Sequence, residues 1–269
     1  MTSNRRARRR ASASQTIQYA LLAIVIGIVG WLADWKTLAS QFVRLDVAAR
    51  LFPGLLTIAL KNTVVYTLSG FLLGLLLGLV IALMRLSHVL PYRWFAGLYI
   101  EFFRGLPALL IFMFVGVGIP LAFPGTELPG GTYGKVALGL GLVSAAYMAE
   151  TIRAGIQAVP KGQMEAARSL GFSHRRAMLS IILPQAFRII IPPLTNELVL
   201  LFKDSSLVLF LGVSLEEREL TKFGRDLASE TANTTPIFVA GLCYLIVTIP
   251  LGYLVRRLEA RANASQGRT

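Results

Sequence analysis

Between Leu55 and Met84 the chain carries one charged residue, Lys61, in an otherwise largely apolar run. A helix rises about 1.5 Å per residue, so about 20 apolar residues cross the roughly 30 Å of membrane hydrocarbon. This run exceeds that length and predicts a span that tilts or projects beyond the bilayer. Further runs occupy residues 17–33, 136–156, 185–212 and 236–255, with another ending at Leu121. Runs of helix length predict an all-α polytopic membrane protein with six spans. The composition agrees: 55% hydrophobic and only 15% charged residues lie outside the range of soluble domains.

A formal charge of +13 invites a nucleic-acid reading. The basic residues, however, flank alternate apolar runs, which is what membrane orientation requires. Residues 1–16, 85–93, 153–188 and 256–269 hold 17 Lys and Arg, whereas 35–54, 121–135 and 213–235 hold 7. The excess predicts that both termini and the 153–188 segment lie in the cytoplasm. Arg5-Arg6-Ala7-Arg8-Arg9-Arg10 fits a cytoplasmic retention signal better than a nucleic-acid or anionic-lipid patch. Residues 1–16 read as a disordered basic tail, and 17–54 as an uncleaved accessory span with a polar, partly amphipathic connector. Leu38-Ala39-Ser40 is a weak cleavage site only. His88 and His174 are isolated, and Cys243 is the single cysteine, so neither a disulfide framework nor a metal site or cofactor is expected.

Small residues recur inside the spans. Gly70, Gly74 and Gly78 are four apart, which places three bare positions on one helix face for close packing. Gly139, Gly141, Ser144 and Ala145 do the same in the run over 136–156. Asn62 and Thr63 are polar near one end of their span. Glu101 and Arg104 are i, i+3 and predict a mutual ion pair.

The segment Glu165-Ala166-Ala167-Arg168-Ser169-Leu170-Gly171 predicts a short helix with a bare face, near whose start Glu165 complements the helix dipole. Gly171 suits the left-handed residue that ends a helix. After nine intervening residues comes Ile181-Ile182-Leu183-Pro184, where Pro184 resets the chain before the next apolar run. Pattern and spacing resemble the EAA loop of ATP-binding-cassette (ABC) importer permeases. That resemblance implies a cytoplasmic coupling helix at about 161–172, comprising Lys161, Gly162, Glu165, Ala166, Ala167 and Gly171 and followed by Leu183 and Pro184. Such a helix docks into a separate ATPase subunit.

Arg104-Gly105-Leu106-Pro107 is similar to the Arg-Gly-Thr-Pro entry of amino-acid-type members, with Leu106 in place of Thr and Ile111 where many carry Gln. Ala145 to Glu150 and Lys203-Asp204-Ser205-Ser206-Leu207 also resemble this polar amino-acid branch (histidine, glutamine and glutamate types). The implied architecture is a type I permease fold over 55–258, a five-helix core, with the first span outside it and 259–269 a cytoplasmic tail.

Pro192 and Pro193 predict a kink or break in the fifth span. Beyond them Asn196 aligns with Lys203, and Glu197 with Asp204, because residues seven apart differ by only about 20° on a helix. Ionisable groups at membrane depth face the protein interior or a wet cavity. Asn62, Glu150, Asn196, Glu197, Lys203, Asp204 and Ser205 are therefore candidates for a substrate pathway offering both signs of charge. A structural ion-pair cluster is the alternative. Leu215 to Phe223 predicts a surface helix.

The chain lacks a G-x-x-x-x-G-K-[ST] phosphate loop, a nucleophile elbow and a metal-binding His/Asp constellation, so it reads as a transport subunit and not an enzyme. The resemblance implies a second permease subunit, an ATPase dimer hydrolysing ATP, an extracytoplasmic substrate-binding protein and an amino-acid substrate. Membrane lipid is a further partner and nucleic acid is not. The implied setting is a bacterial plasma membrane, with inward transport by alternating access. An ion-gradient-driven transporter or channel is the competing reading, and leaves the Glu165–Pro184 pattern without a purpose.

Overall fold

A computed structural model describes residues 2–125 and 128–266, and every regular element among them is a helix. Five helices are long and apolar enough to cross a membrane, and a bent helix pair makes six. Helix α1 (Thr2–Leu32) takes in the segment expected to be disordered. Its first 25 residues contain neither Gly nor Pro and are rich in Ala and Arg, both good helix formers. From Gln15 onward its side chains are almost all exposed, so this span stands apart from the core.

The connector is ordered. Asp34 caps α2 (Trp35–Phe42), accepting from the Thr37 N–H at 3.0 Å. Helix α3 (Leu45–Ala49) follows. Asn233 Nδ2 donates to the Ser40 carbonyl at 2.9 Å and Thr234 Oγ1 to that of Gln41 at 2.8 Å, which ties the connector to the far end of the chain.

A π-helical turn over Leu55–Leu60 leads into α4 (Lys61–Leu86). Pro91 then sits in the first turn of α5 (Leu90–Gly105), where its missing N–H is harmless, so the predicted basic loop shrinks to three residues. Leu106 and Pro107 turn the chain by 102° into α6 (Ala108–Met113), a π-turn and α7 (Ile119–Ala122).

The core is the packing of α4 on α8 (Gly131–Gln157). A Cβ on Gly70 would meet Leu140 at 2.6 Å, and one on Gly74 would meet the Ser144 hydroxyl at 2.0 Å. One on Gly78 would lie 3.0 Å from both the Ala145 carbonyl and Met148. The bare positions at 70, 74 and 78 therefore lie where α4 approaches α8 most closely. Leu72, Leu76 and Leu83, on the opposite face of α4, are exposed and suit contact with lipid.

Beyond α8 come α9 (Lys161–Ser169) and α10 (His174–Ala177), a π-turn over Met178–Ile182, α11 (Leu183–Asp204) and a 3₁₀ stretch over Ser205–Leu211. From His174 to Leu211 the helix is continuous, so neither Pro184 nor the Pro192-Pro193 pair breaks it. At Pro184 the preceding π-turn widens the coil: the Leu183 N–H reaches back five residues to Met178. A left-handed Gly212, φ 63°, ends the run.

The predicted helix over 215–223 is instead a 3₁₀ turn at Leu215–Glu217 and, after a break, α12 (Leu220–Thr231). Glu219 makes the break, because its carboxylate caps α12 through the N–H groups of Thr221 and Lys222 at 2.5 and 2.6 Å. Burial pushes that carboxyl above its ordinary range, and the two backbone donors act against the rise. Leu220 and Phe223 lie buried with Leu51, Leu55 and Ala59 rather than at the surface. Helix α13 (Thr235–Gln266) completes the chain and packs on α11 and α12.

Candidate functional site

Two regions carry the functional candidates. The first is the projecting helix α9. It begins at Lys161, after the extended Pro160, so Glu165 occupies its second turn and not the start. Lys161, Gly162, Glu165 and Ala166 are exposed, and a Cβ on Gly162 would meet nothing within 4 Å. Ala167 differs: at 2% exposure it packs into the chain itself, so the bare outer face belongs to Ala166 and Gly162.

The C-terminus of α9 is fully capped. The Phe172 N–H donates to the Ala167 carbonyl at 3.1 Å and the Gly171 N–H to that of Arg168 at 3.0 Å, with Gly171 at φ 83°. This double closure turns the chain sharply and leaves Leu170 78% exposed at the tip. Beneath the helix, Val159, Ile182 and Ala186 are buried with Met164 and Met178 against them. Gln185 Nε2 donates to the Ile181 carbonyl at 3.0 Å and approaches Gln163 Oε1 at 3.4 Å. Leu183 and Pro184 thus belong to the platform that carries the knob and not to its tip.

The second region is a cavity of about 230 Å³ bounded by α6, α8 and α11. Glu197 and Asp204 both line it, as the seven-residue spacing requires. Ser144 and Tyr147 supply further polar groups, with Phe112, Leu140 and Leu201 as apolar wall. Tyr147 belongs to the Ala145–Glu150 stretch, yet the residue pattern alone gave no reason to choose it over its neighbours. Arg104 stands over the Tyr147 ring, 5.2 Å from its centroid. It forms no ion pair with Glu101 among the described residues, which corrects the i, i+3 expectation.

The other pathway candidates are not brought into this cavity. Asn196 and Lys203 are exposed on another face of α11, so both ionisable groups lining the cavity are acidic and the expected mixture of signs is absent from its lining. Glu150 forms an ion pair with Arg153, one turn on, whose Nε donates at 3.0 Å. The Ser205 hydroxyl donates to the Phe202 carbonyl at 2.8 Å.

Asn62 is buried at the opposite end from α9. Its Nδ2 donates to the carbonyls of Glu216 and Arg218 at 2.7 and 3.1 Å. Its Oδ1 accepts from the Tyr133 hydroxyl at 2.8 Å. Tyr66, buried beside it, donates to the Glu217 carbonyl at 2.8 Å. The amide is fully engaged in latching the 214–219 loop onto α4 and α8. No sequence signal marked Tyr133, because a lone tyrosine at a span end carries no partner information.

The comparisons with known proteins agree with this arrangement. Residues 70–264 match the family described as binding-protein-dependent transport system inner membrane component. The probable glutamine ABC transporter permease protein GlnM of Bacillus subtilis (strain 168) is 42% identical over 210 residues, 77% of this chain and 90% of that protein. The arginine transport system permease protein ArgU of Corynebacterium glutamicum is 35% identical over 244 residues, 86% of this chain and 75% of that protein. A crystal structure of an amino acid ABC transporter with histidines superposes with a TM-score of 0.73 at 34% identity, covering 81% of this chain and 99% of that one. Inward-facing MetNI methionine ABC transporter, at 20% identity and a TM-score of 0.56, shares the fold. A multi-pass helical chain with a capped, projecting helix between its fourth and fifth spans, matched over most of its length, is a membrane permease subunit: the chain belongs to the family of binding-protein-dependent transport system inner membrane components.

Proposed function

We propose that this permease moves an amino acid inward, driven by ATP hydrolysis on a separate ATPase dimer that grips α9. The observation that carries this reading is the pairing of an exposed, doubly capped knob at 161–171 with a carboxylate-lined cavity between α6, α8 and α11. Relatives named for glutamine and arginine transport support the substrate class. The Lys and Arg asymmetry, 17 against 7, supports a cytoplasmic knob and cytoplasmic termini. Six spans make thin walls for a pathway, so a second permease subunit, identical or related, completes it, and an extracytoplasmic binding protein delivers the substrate.

The two cavity carboxylates suit the ammonium that every amino acid carries, and a cationic side chain equally well. Alternating access follows if the ATPase dimer, closing on ATP, binds the outward-open arrangement better and carries the α9 knobs with it. Coupling exists only to the extent that ATP and substrate have different affinities for the two states. The test is uptake by the reconstituted complex with Glu197→Gln or Asp204→Asn. We expect assembly to survive and uptake to fall, about tenfold or more for each lost charge-assisted contact of roughly 1.5–3 kcal/mol. Normal uptake and selectivity in both variants would leave these carboxylates a purely structural role.

A further inference from the structure

Away from the cavity between α6, α8 and α11, the junction of α4 and α5 forms an open groove of about 350 Å³. Its charged walls are Arg85 in the last turn of α4, and Arg93 and Glu101 on α5. Arg85 is held in place, since its Nη1 donates to the Arg93 carbonyl at 3.2 Å. The guanidinium lies over Gly97, where a Cβ would meet that nitrogen at 3.1 Å. A bare glycine therefore lets it rest against α5 with further N–H groups left over for a ligand. Neither Arg93 nor Glu101 joins an ion pair among the described residues.

Arg93, Gly97 and Glu101 are four residues apart and share one face of α5. The adjoining face exposes Trp94 and Leu98, at 73% and 72%. An exposed tryptophan among arginines, where the apolar run of α4 ends, is the composition of a membrane–water boundary. Two guanidinium groups suit a phosphodiester, which accepts their N–H groups in pairs. Glu101 lies about 12 Å along the helix from Arg93, a gap that both long side chains shorten, and it suits a hydrogen-bonding cation. The apolar face beside them suits acyl chains.

We propose that this groove binds the headgroup of phosphatidylethanolamine. The phosphate rests on Arg85 and Arg93, the ammonium donates to Glu101, and the chains run along Trp94 and Leu98. An anionic phosphatidylglycerol brings no cation to Glu101, and the quaternary ammonium of phosphatidylcholine has no N–H to donate.

Native mass spectrometry of the full-length permease tests this, using equimolar palmitoyl-oleoyl forms of the three lipids. We expect the wild type to retain phosphatidylethanolamine about threefold or more over either competitor, about 0.7 kcal/mol. Arg93→Gln should lower retention of all three. Glu101→Gln, an exposed substitution whose folding is checked by gel filtration and melting, should bring the ethanolamine-to-glycerol ratio near one. That ratio decides the matter even if Arg93→Gln fails to assemble. Equal retention of the three lipids, a preference for phosphatidylglycerol, or an unchanged ratio in Glu101→Gln would overturn the proposal. So would complete displacement by millimolar inorganic phosphate, since the site would then take a soluble anion.

Discussion

At the scale of single residues, backbone geometry and polar satisfaction distinguish positions that look alike in the chain. Gly171 is required at φ 83°, because its N–H and that of Phe172 close α9. Gly171→Val should cost about 1–2 kcal/mol locally and loosen the knob. The expected readout is permease present in the membrane with weakened ATPase co-purification. Gly74 is required by contact, since a side chain there strikes the Ser144 hydroxyl. Gly74→Val should destabilise the detergent-solubilised protein by about 1–3 kcal/mol, seen as a lowered melting temperature. Asn62→Leu should strand two loop carbonyls and the Tyr133 hydroxyl. Each unpaired buried group costs about 1–3 kcal/mol, so its melting temperature should fall at least as far, whereas wild-type melting would dismiss the latch.

At the scale of elements, periodicity was a good guide and chain direction a poor one. Gly70, Gly74 and Gly78 line the face of α4 that meets α8, and Glu197 and Asp204, seven residues apart, share one wall of the cavity. Both follow from helix geometry alone. Which way a helix face turns in the fold does not, so Asn196 and Lys203 sit outside the cavity lining and Ala167 is buried in its own chain. The same limit explains the continuous helix through Pro184, because a π-turn three-dimensionally absorbs what the residue type forbids in an ideal coil. The corrected faces of α9 separate two variants. Ala166→Trp should leave the permease folded and block ATPase association sterically, whereas Ala167→Trp should damage the packing beneath the knob. Both are read by melting temperature and co-purification, and equal behaviour of the two would refute the assignment of faces.

For the whole molecule, the number of spans was legible from run length and hydropathy, and the family pattern from a handful of fixed positions around 165–184. The bend at Leu106 and the tethering of the connector to 233–235 were not, because both depend on contacts between segments far apart in the chain. Orientation can be read directly by single-cysteine labelling after Cys243→Ser. Cysteines introduced as Leu45→Cys and Ala228→Cys should react from outside, and those introduced as Val89→Cys and Glu165→Cys only from inside. The central claim, that this permease transduces ATP hydrolysis through α9, is tested most directly in proteoliposomes holding the permease and its ATPase, with binding protein and radiolabelled glutamine or arginine outside. The account predicts uptake that requires ATP in the lumen, survives a protonophore and is abolished by Ala166→Trp. Uptake driven by an ion gradient without ATP, or undiminished in that variant, would contradict it.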